Sequence, residues 1–153
     1  MRGRQGWVAV FTTLVVLLAA CGGGSTDAPD FVGSGQVDEG DCLNLPEEID
    51  AVVAFEARDC GEGHDGQVLG VFDLPDGDGF PGNEEVLSTA ESGCIERFEG
   101  FIGVSYAESV FFLQSFTPTE ETWTNDGDRT VLCVVVPGEG TGQLTSDLRG
   151  VAE

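Results

Sequence analysis

Asn83–Gly103 reads NEEVLSTAESGCIERFEGFIG, and this stretch decides the fold. Val86, Leu87, Ala90, Cys94, Ile95, Phe98, Phe101 and Ile102 recur at helical spacing, so one stripe is apolar and the rest polar. Asn83 predicts an N-cap, Glu84 and Glu85 stand where acids favour the helix dipole, and Gly103 predicts the stop. Gly93 in the interior costs up to about 1 kcal/mol relative to Ala. A single helix with one apolar stripe needs another layer to cover it.

The flanking sequence supplies that layer as strands. Gln67–Leu74 (QVLGVFDL) carries Val68, Phe72 and Leu74 on one side and Leu69 and Val71 on the other, which predicts a strand inside a sheet. Ala51–Ala57 (AVVAFEA) is a shorter candidate. Ser109–Phe116 (SVFFLQSF) and Thr130–Val136 (TVLCVVV) are the strongest strand signals, and both read as central. Between them, Thr117-Pro118-Thr119-Glu120 has the order of a capping box with Pro at the first helical position, predicting one helical turn that ends near Trp123. The expected fold is α+β: one main helix on a mostly antiparallel sheet of about four or five strands. This domain is expected over 41–153, with no internal repeat.

The chain has 153 residues, with 28 acidic residues against 6 basic ones and a formal charge of −22. All basic residues are Arg, so there is no clustered Lys/Arg to neutralise phosphates, and nucleic acid is not an expected partner. Residues 1–20 read as a lipoprotein signal peptide. Arg2 and Arg4 form a positive start, and Trp7–Ala20 is an apolar run of about 14 residues, shorter than a membrane-spanning helix. Leu18-Ala19-Ala20-Cys21 resembles a bacterial lipobox, which makes Cys21 the expected lipidation site. The sequence after it keeps four arginines (Arg58, Arg97, Arg129, Arg149) against all 28 acids, a side-chain charge of −24. Two acyl chains on Cys21 would anchor the protein stably at the extracytoplasmic face of the cell membrane. Residues 22–40 are rich in Gly, Ser and Asp and read as a flexible linker with a reach of roughly 25 Å.

Four cysteines remain: Cys42, Cys60, Cys94 and Cys133. An even set in an exported chain reads as two disulfides, for which three pairings exist. Cys94 lies on the apolar helix face and Cys133 in a strand that the helix should cover, while Cys42 and Cys60 flank the Ala51–Ala57 strand in polar surroundings. The expected pairs are therefore Cys42–Cys60 and Cys94–Cys133.

The candidate site residues are few. His64 is the sole His; it reads either as a general base or pH-sensitive contact, or as a ring bonded to backbone in the turn beside a disulfide. No Gly-x-Ser-x-Gly accompanies it. Asp73, Asp76, Asp78 and Glu84 crowd one loop and form a weak Ca²⁺ candidate. Pro75, Gly77 and Asp78 break the EF-hand pattern, so neither a metal nor another cofactor is expected. Trp123 and Arg129 are residue types that anchor interfaces, and with His64 they are the candidate interaction positions.

Taken together, Asp41-Cys42, Cys60-Gly61-Glu62-Gly63-His64-Asp65, Cys94, Pro118-Thr119-Glu120-Glu121-Thr122-Trp123, Gly127-Asp128-Arg129-Thr130-Val131-Leu132-Cys133 and Leu148-Arg149-Gly150 resemble the septum-formation-related domain of exported and membrane-anchored proteins in high-GC Gram-positive bacteria. Gln67 and Ser146-Asp147 depart from that pattern, which often has Glu and Gly-Ser there. The resemblance implies an association with cell division and no established catalytic mechanism. The expected protein is a non-enzymatic, acidic cell-envelope lipoprotein with an unknown envelope or division partner. A Ca²⁺-responsive binding module is the alternative.

Overall fold

A computed structural model describes residues 30–46, 54–77 and 79–152. Cys21, the apolar run before it and residues 51–53 of the first strand candidate lie outside the described residues. The elements run β1 (Asp30–Val32), β2 (Cys42–Asn44), β3 (Phe55–Arg58), β4 (Gly66–Asp73), α1 (Asn83–Ile102), β5 (Phe112–Phe116), α2 (Glu120–Asn125) and β6 (Thr130–Val136). The strands form one sheet in the order β1-β3-β2-β4-β6-β5, and every pair is antiparallel. The α+β class, the single main helix and both disulfides are as the sequence predicts.

α1 lies over β4 and β5 and buries Val86, Ala90, Cys94, Phe98, Phe101 and Ile102, which meet Leu69, Val131, Cys133 and Val135 of the sheet. Burying Val86, Phe98, Phe101 and Ile102 stabilises the fold by about 1.5–3 kcal/mol each. Leu87 and Ile95, expected on that stripe, are instead 52% and 39% exposed. The helix is capped by Gly82 and not by Asn83, which is its first residue. It ends at Gly103, whose φ of 100° is left-handed and whose N–H donates to the Glu99 carbonyl.

The second sheet face has its own core of Leu43, Phe55, Val68, Phe116, Leu132 and Val134, joined by Val37. The rings of Phe55 on β3 and Phe116 on β5 touch edge to face at 4.9 Å. In a flat sheet these strands would stand roughly 19 Å apart, four strand spacings. The sheet therefore curls until its two sides nearly meet around this core.

Three expectations need correction. Residues 30–40 are part of the fold and not of a flexible linker: β1 pairs with β3, Val37 is 4% exposed, and the Gly40 N–H donates to the Val68 carbonyl. β1 and β2, three residues each, raise the sheet to six strands. The two sides of β4 are also not as alternation predicts. Its register with β6 shifts between Val68 and Gly70, so Leu69 is an extra residue. Past this bulge the faces exchange: Leu69, Phe72 and Leu74 join the α1 side, while Val68 alone belongs to the other core.

The second helix is capped two residues later than predicted. Thr119 Oγ1 accepts from the Thr122 N–H, and Thr122 Oγ1 accepts from the Thr119 N–H. Pro118 precedes the cap and is buried. Trp123 sits in mid-helix, not at its end.

Candidate functional site

The start of β4 gathers the buried polar groups. The Cys42–Cys60 disulfide, with Cα atoms 5.3 Å apart, ties β2 to the turn after β3. That turn delivers His64, which is fully buried and forms a two-bond bridge with Leu144: its N–H donates to the Leu144 carbonyl and its carbonyl accepts from the Leu144 N–H. His64 Nδ1 lies 2.8 Å from the Glu62 carbonyl. A carbonyl only accepts, so Nδ1 is the donor in this contact. Nε2 is buried and has no hydrogen-bond partner among the described residues. A general base needs a nucleophile or a substrate within reach, and this ring has solvent on neither side. Of the two readings of His64, the placement is that of the backbone-bonded turn residue.

Gln67, also fully buried, is the hub of this region. Its side-chain NH₂ donates to the Gly40 carbonyl and to Asp147 Oδ1, each at 3.0 Å, and its Oε1 accepts from the Leu148 N–H at 2.7 Å. One side chain thus ties the segment entering the domain to the segment leaving it. Asp147 takes three further bonds from the Arg149 guanidinium, two of them shared by Nε, and one from its backbone N–H. The guanidinium, the Arg149 backbone and the Gln67 amide hold the Asp147 carboxyl far below the usual carboxylate range, and the same contact raises Arg149.

Trp123 and Arg129 form a second cluster. The Arg129 guanidinium stacks 3.6 Å from the Trp123 ring centre, and Nη1 donates to the Trp123 and Asp128 carbonyls. Phe80 meets the Trp123 ring edge to face at 5.8 Å. Asp76 stands 3.4 Å from Arg129 Nε but is 96% exposed and out of line for a hydrogen bond. Trp123 itself is 4% exposed. The arrangement pins the 74–82 loop to α2. As placed, His64 and Trp123 are interior and Arg129 is nearly so; none of the three is presented as a surface anchor.

The acidic loop does not converge. Asp73 accepts from the Thr130 hydroxyl, Asp76 faces Arg129, Glu84 is in the first turn of α1, and Asp78 lies outside the described residues. Among the described residues no three acid, His or Cys groups gather as a metal site, and no helix is long and apolar enough to cross a membrane.

The concave surface is elsewhere, along β5. Ser109–Phe116 was expected to be central, but β5 is the last strand of the sheet, and among the described residues only β6 pairs with it. A cleft of about 1030 Å³ opens between Ser34 and Phe55 on one side and Ser115, Phe116 and Thr117 on the other, with α2 as its wall. A smaller hollow of about 170 Å³, bordered by Glu91, Tyr106 and Leu113, continues it on the α1 side; Leu87 and Ser115 border both. Sequence reasoning misses this groove because it arises from strand order. Its one local trace is Leu87, an apolar residue on the helix stripe that the core does not take up and that borders both hollows.

Compared with protein families, curated proteins and solved structures, the chain matches none of them.

Proposed function

We propose that this chain is a non-enzymatic lipoprotein of the cell envelope. It is held at the extracytoplasmic face of the membrane through Cys21 and displays an acidic, disulfide-locked domain to an envelope partner. Septum formation is the process its sequence landmarks suggest. The observation that carries this reading is the pairing of the cysteines. Cys42–Cys60 and Cys94–Cys133 use four of the five thiols in structural bridges. That leaves Cys21 alone at the end of an apolar run, and bridges of this kind belong to an oxidising compartment. The burial of His64, whose Nε2 meets no hydrogen-bond partner among the described residues, supports a binding role over a catalytic one.

Intact mass of the membrane-extracted protein, with and without reduction, tests it. The expected mass is that of Cys21–Glu153 plus acyl chains, less four protons. An unacylated chain in the soluble fraction, or free thiols at the four bridge positions, would overturn the reading. Crosslinking in intact cells would then name the partner.

A further inference from the structure

We propose that the outer edge of β5 docks an extended, positively charged segment of another protein, which pairs with it as an added strand. This rests on the reading of the chain as an interaction domain and gives the partner its chemistry.

Native sheets protect their edges with charge, Pro, bulges or a covering element. Among the described residues β5 has none of these: it reads FLQSF, its register with β6 is unbroken, and no backbone bond from another element reaches it. Phe112 is 51% exposed and Val110, just before the strand, is 63% exposed. It is a sequence suited to a sheet interior placed at a sheet margin.

The curled sheet leaves a place for the missing neighbour. It brings Phe55 and Phe116 together yet stops short of closing, and the seam beyond them is the 1030 Å³ cleft. Leu87 and Leu113 give the trough apolar footing on the α1 side, and Ser115 and Thr117 give it hydroxyls. A strand laid on β5 would turn alternate side chains toward α1 and toward the seam.

Charge selects the occupant. Glu91, Glu120, Glu121 and Asp128 border the two hollows, and no basic residue does. All four arginines of the described residues already have partners within the chain: Arg58 with Glu56 and Glu62, Arg97 with Phe72, Arg129 with Trp123, and Arg149 with Asp147. A second copy of the chain would bring the same acids against these, so self-pairing is opposed while a Lys- or Arg-bearing strand is favoured.

The test uses the oxidised full chain in detergent and two capped hexapeptides, Lys-Val-Lys-Val-Lys-Val and Glu-Val-Glu-Val-Glu-Val, each with a fluorescent label. The basic peptide should bind with a Kd of tens of micromolar, weakening about tenfold between low and high salt. Hydrogen exchange at Phe112–Phe116 should slow at least tenfold on saturation. The double variant Leu87→Lys/Glu91→Lys, at two exposed helix positions, should weaken binding at least tenfold with its unfolding midpoint unchanged. Equal binding of the acidic peptide, protection confined to other strands, an unaffected double variant, or no binding would each overturn the proposal. So would protein-concentration-dependent dimers that protect β5 without peptide, which would make a second copy the occupant. The mass measurement stands apart from these outcomes: acylated, doubly bridged protein that binds no peptide loses the docking site and keeps the lipoprotein.

Discussion

Gln67→Glu changes one atom of a fully buried side chain and should reverse the polarity of its site. The new carboxyl can still accept from the Leu148 N–H. It loses the NH₂ that donates to the Gly40 carbonyl and Asp147, and when ionised it faces two acceptors. Two lost hydrogen bonds, one of them to a charged group, account for about 2–3 kcal/mol. An uncompensated buried charge raises the penalty toward 3–5 kcal/mol, which the protein limits by keeping the carboxyl protonated. We expect a loss of about 3 kcal/mol at pH 7. In the folded variant this carboxyl titrates above the ordinary Glu value of about 4.3, so the penalty is small below that value and grows as pH rises through the folded one. A rise of two units corresponds to about 2.7 kcal/mol. Urea unfolding followed by tryptophan emission, at pH 7 and pH 4, should therefore show the gap between variant and parent shrinking by about 2 kcal/mol in acid. Gln67→Leu, which brings no charge, should keep a constant gap. A gap for Gln67→Glu that does not change with pH would refute the assignment of Gln67 as a buried donor between two acceptors.

Four further outcomes follow from the packing. A Cβ at Gly93 would run into the Phe72 ring, which lies 4.2 Å beneath the Arg97 guanidinium. Gly93→Ala should therefore lower stability by about 1 kcal/mol despite its better helix propensity, and raise it by up to about 1 kcal/mol in a Phe72→Leu background, measured as a double-mutant cycle in urea. Replacing Cys94 and Cys133 by Ala should cost about 4 kcal/mol, and replacing Cys42 and Cys60 about 3, because their loops span 39 and 18 residues; the reverse order of urea midpoints would contradict this. Arg129→Lys loses a flat group stacked on Trp123 and a two-carbonyl contact, and should cost about 1–2 kcal/mol with altered tryptophan emission, whereas Asp76→Asn at an exposed partner should stay within about 0.5 kcal/mol. Because the Asp147 carboxyl sits below the usual range in the folded chain, its contribution is intact above the ordinary carboxylate value and fades as pH falls beneath it; Asp147→Asn should flatten the acid limb of stability measured below about pH 4.

Where neighbours in sequence are neighbours in space, the residues announced the structure. The 3.6-residue period of 83–102 marks α1, and apolar groups on both faces mark β4 and β6 as interior. The Cys94–Cys133 bridge followed from placing one apolar face on the other. The failures are non-local. Alternation cannot register the extra Leu69, since the bulge shows only against β6. Three-residue β1 and β2, set among Gly and Asp, are too short for any period to appear. Gln67 looks like an ordinary polar residue at a strand start until Gly40, 27 residues before it, and Asp147, 80 after it, arrive at its amide. β5 has the composition of a middle strand, and only the strand order reveals that it is last.

The Cys42–Cys60 bridge also sets how the domain answers a pull. Tension reaching Asp30 from upstream would meet three edge residue pairs between β1 and β3, then Val37 in its core and the Gly40 bonds to Val68 and Gln67, all of them reversible. Peeling those twelve or so residues would release roughly 40 Å of chain. At Cys42 the load passes through sulfur to Cys60, bypassing residues 43–59 and arriving beside the turn that leads into β4. The entering strand is thus a short recoiling leash with a covalent stop, and because Ser34 travels with it, drawing the leash out strips away the part of the cleft wall that faces the end of β5.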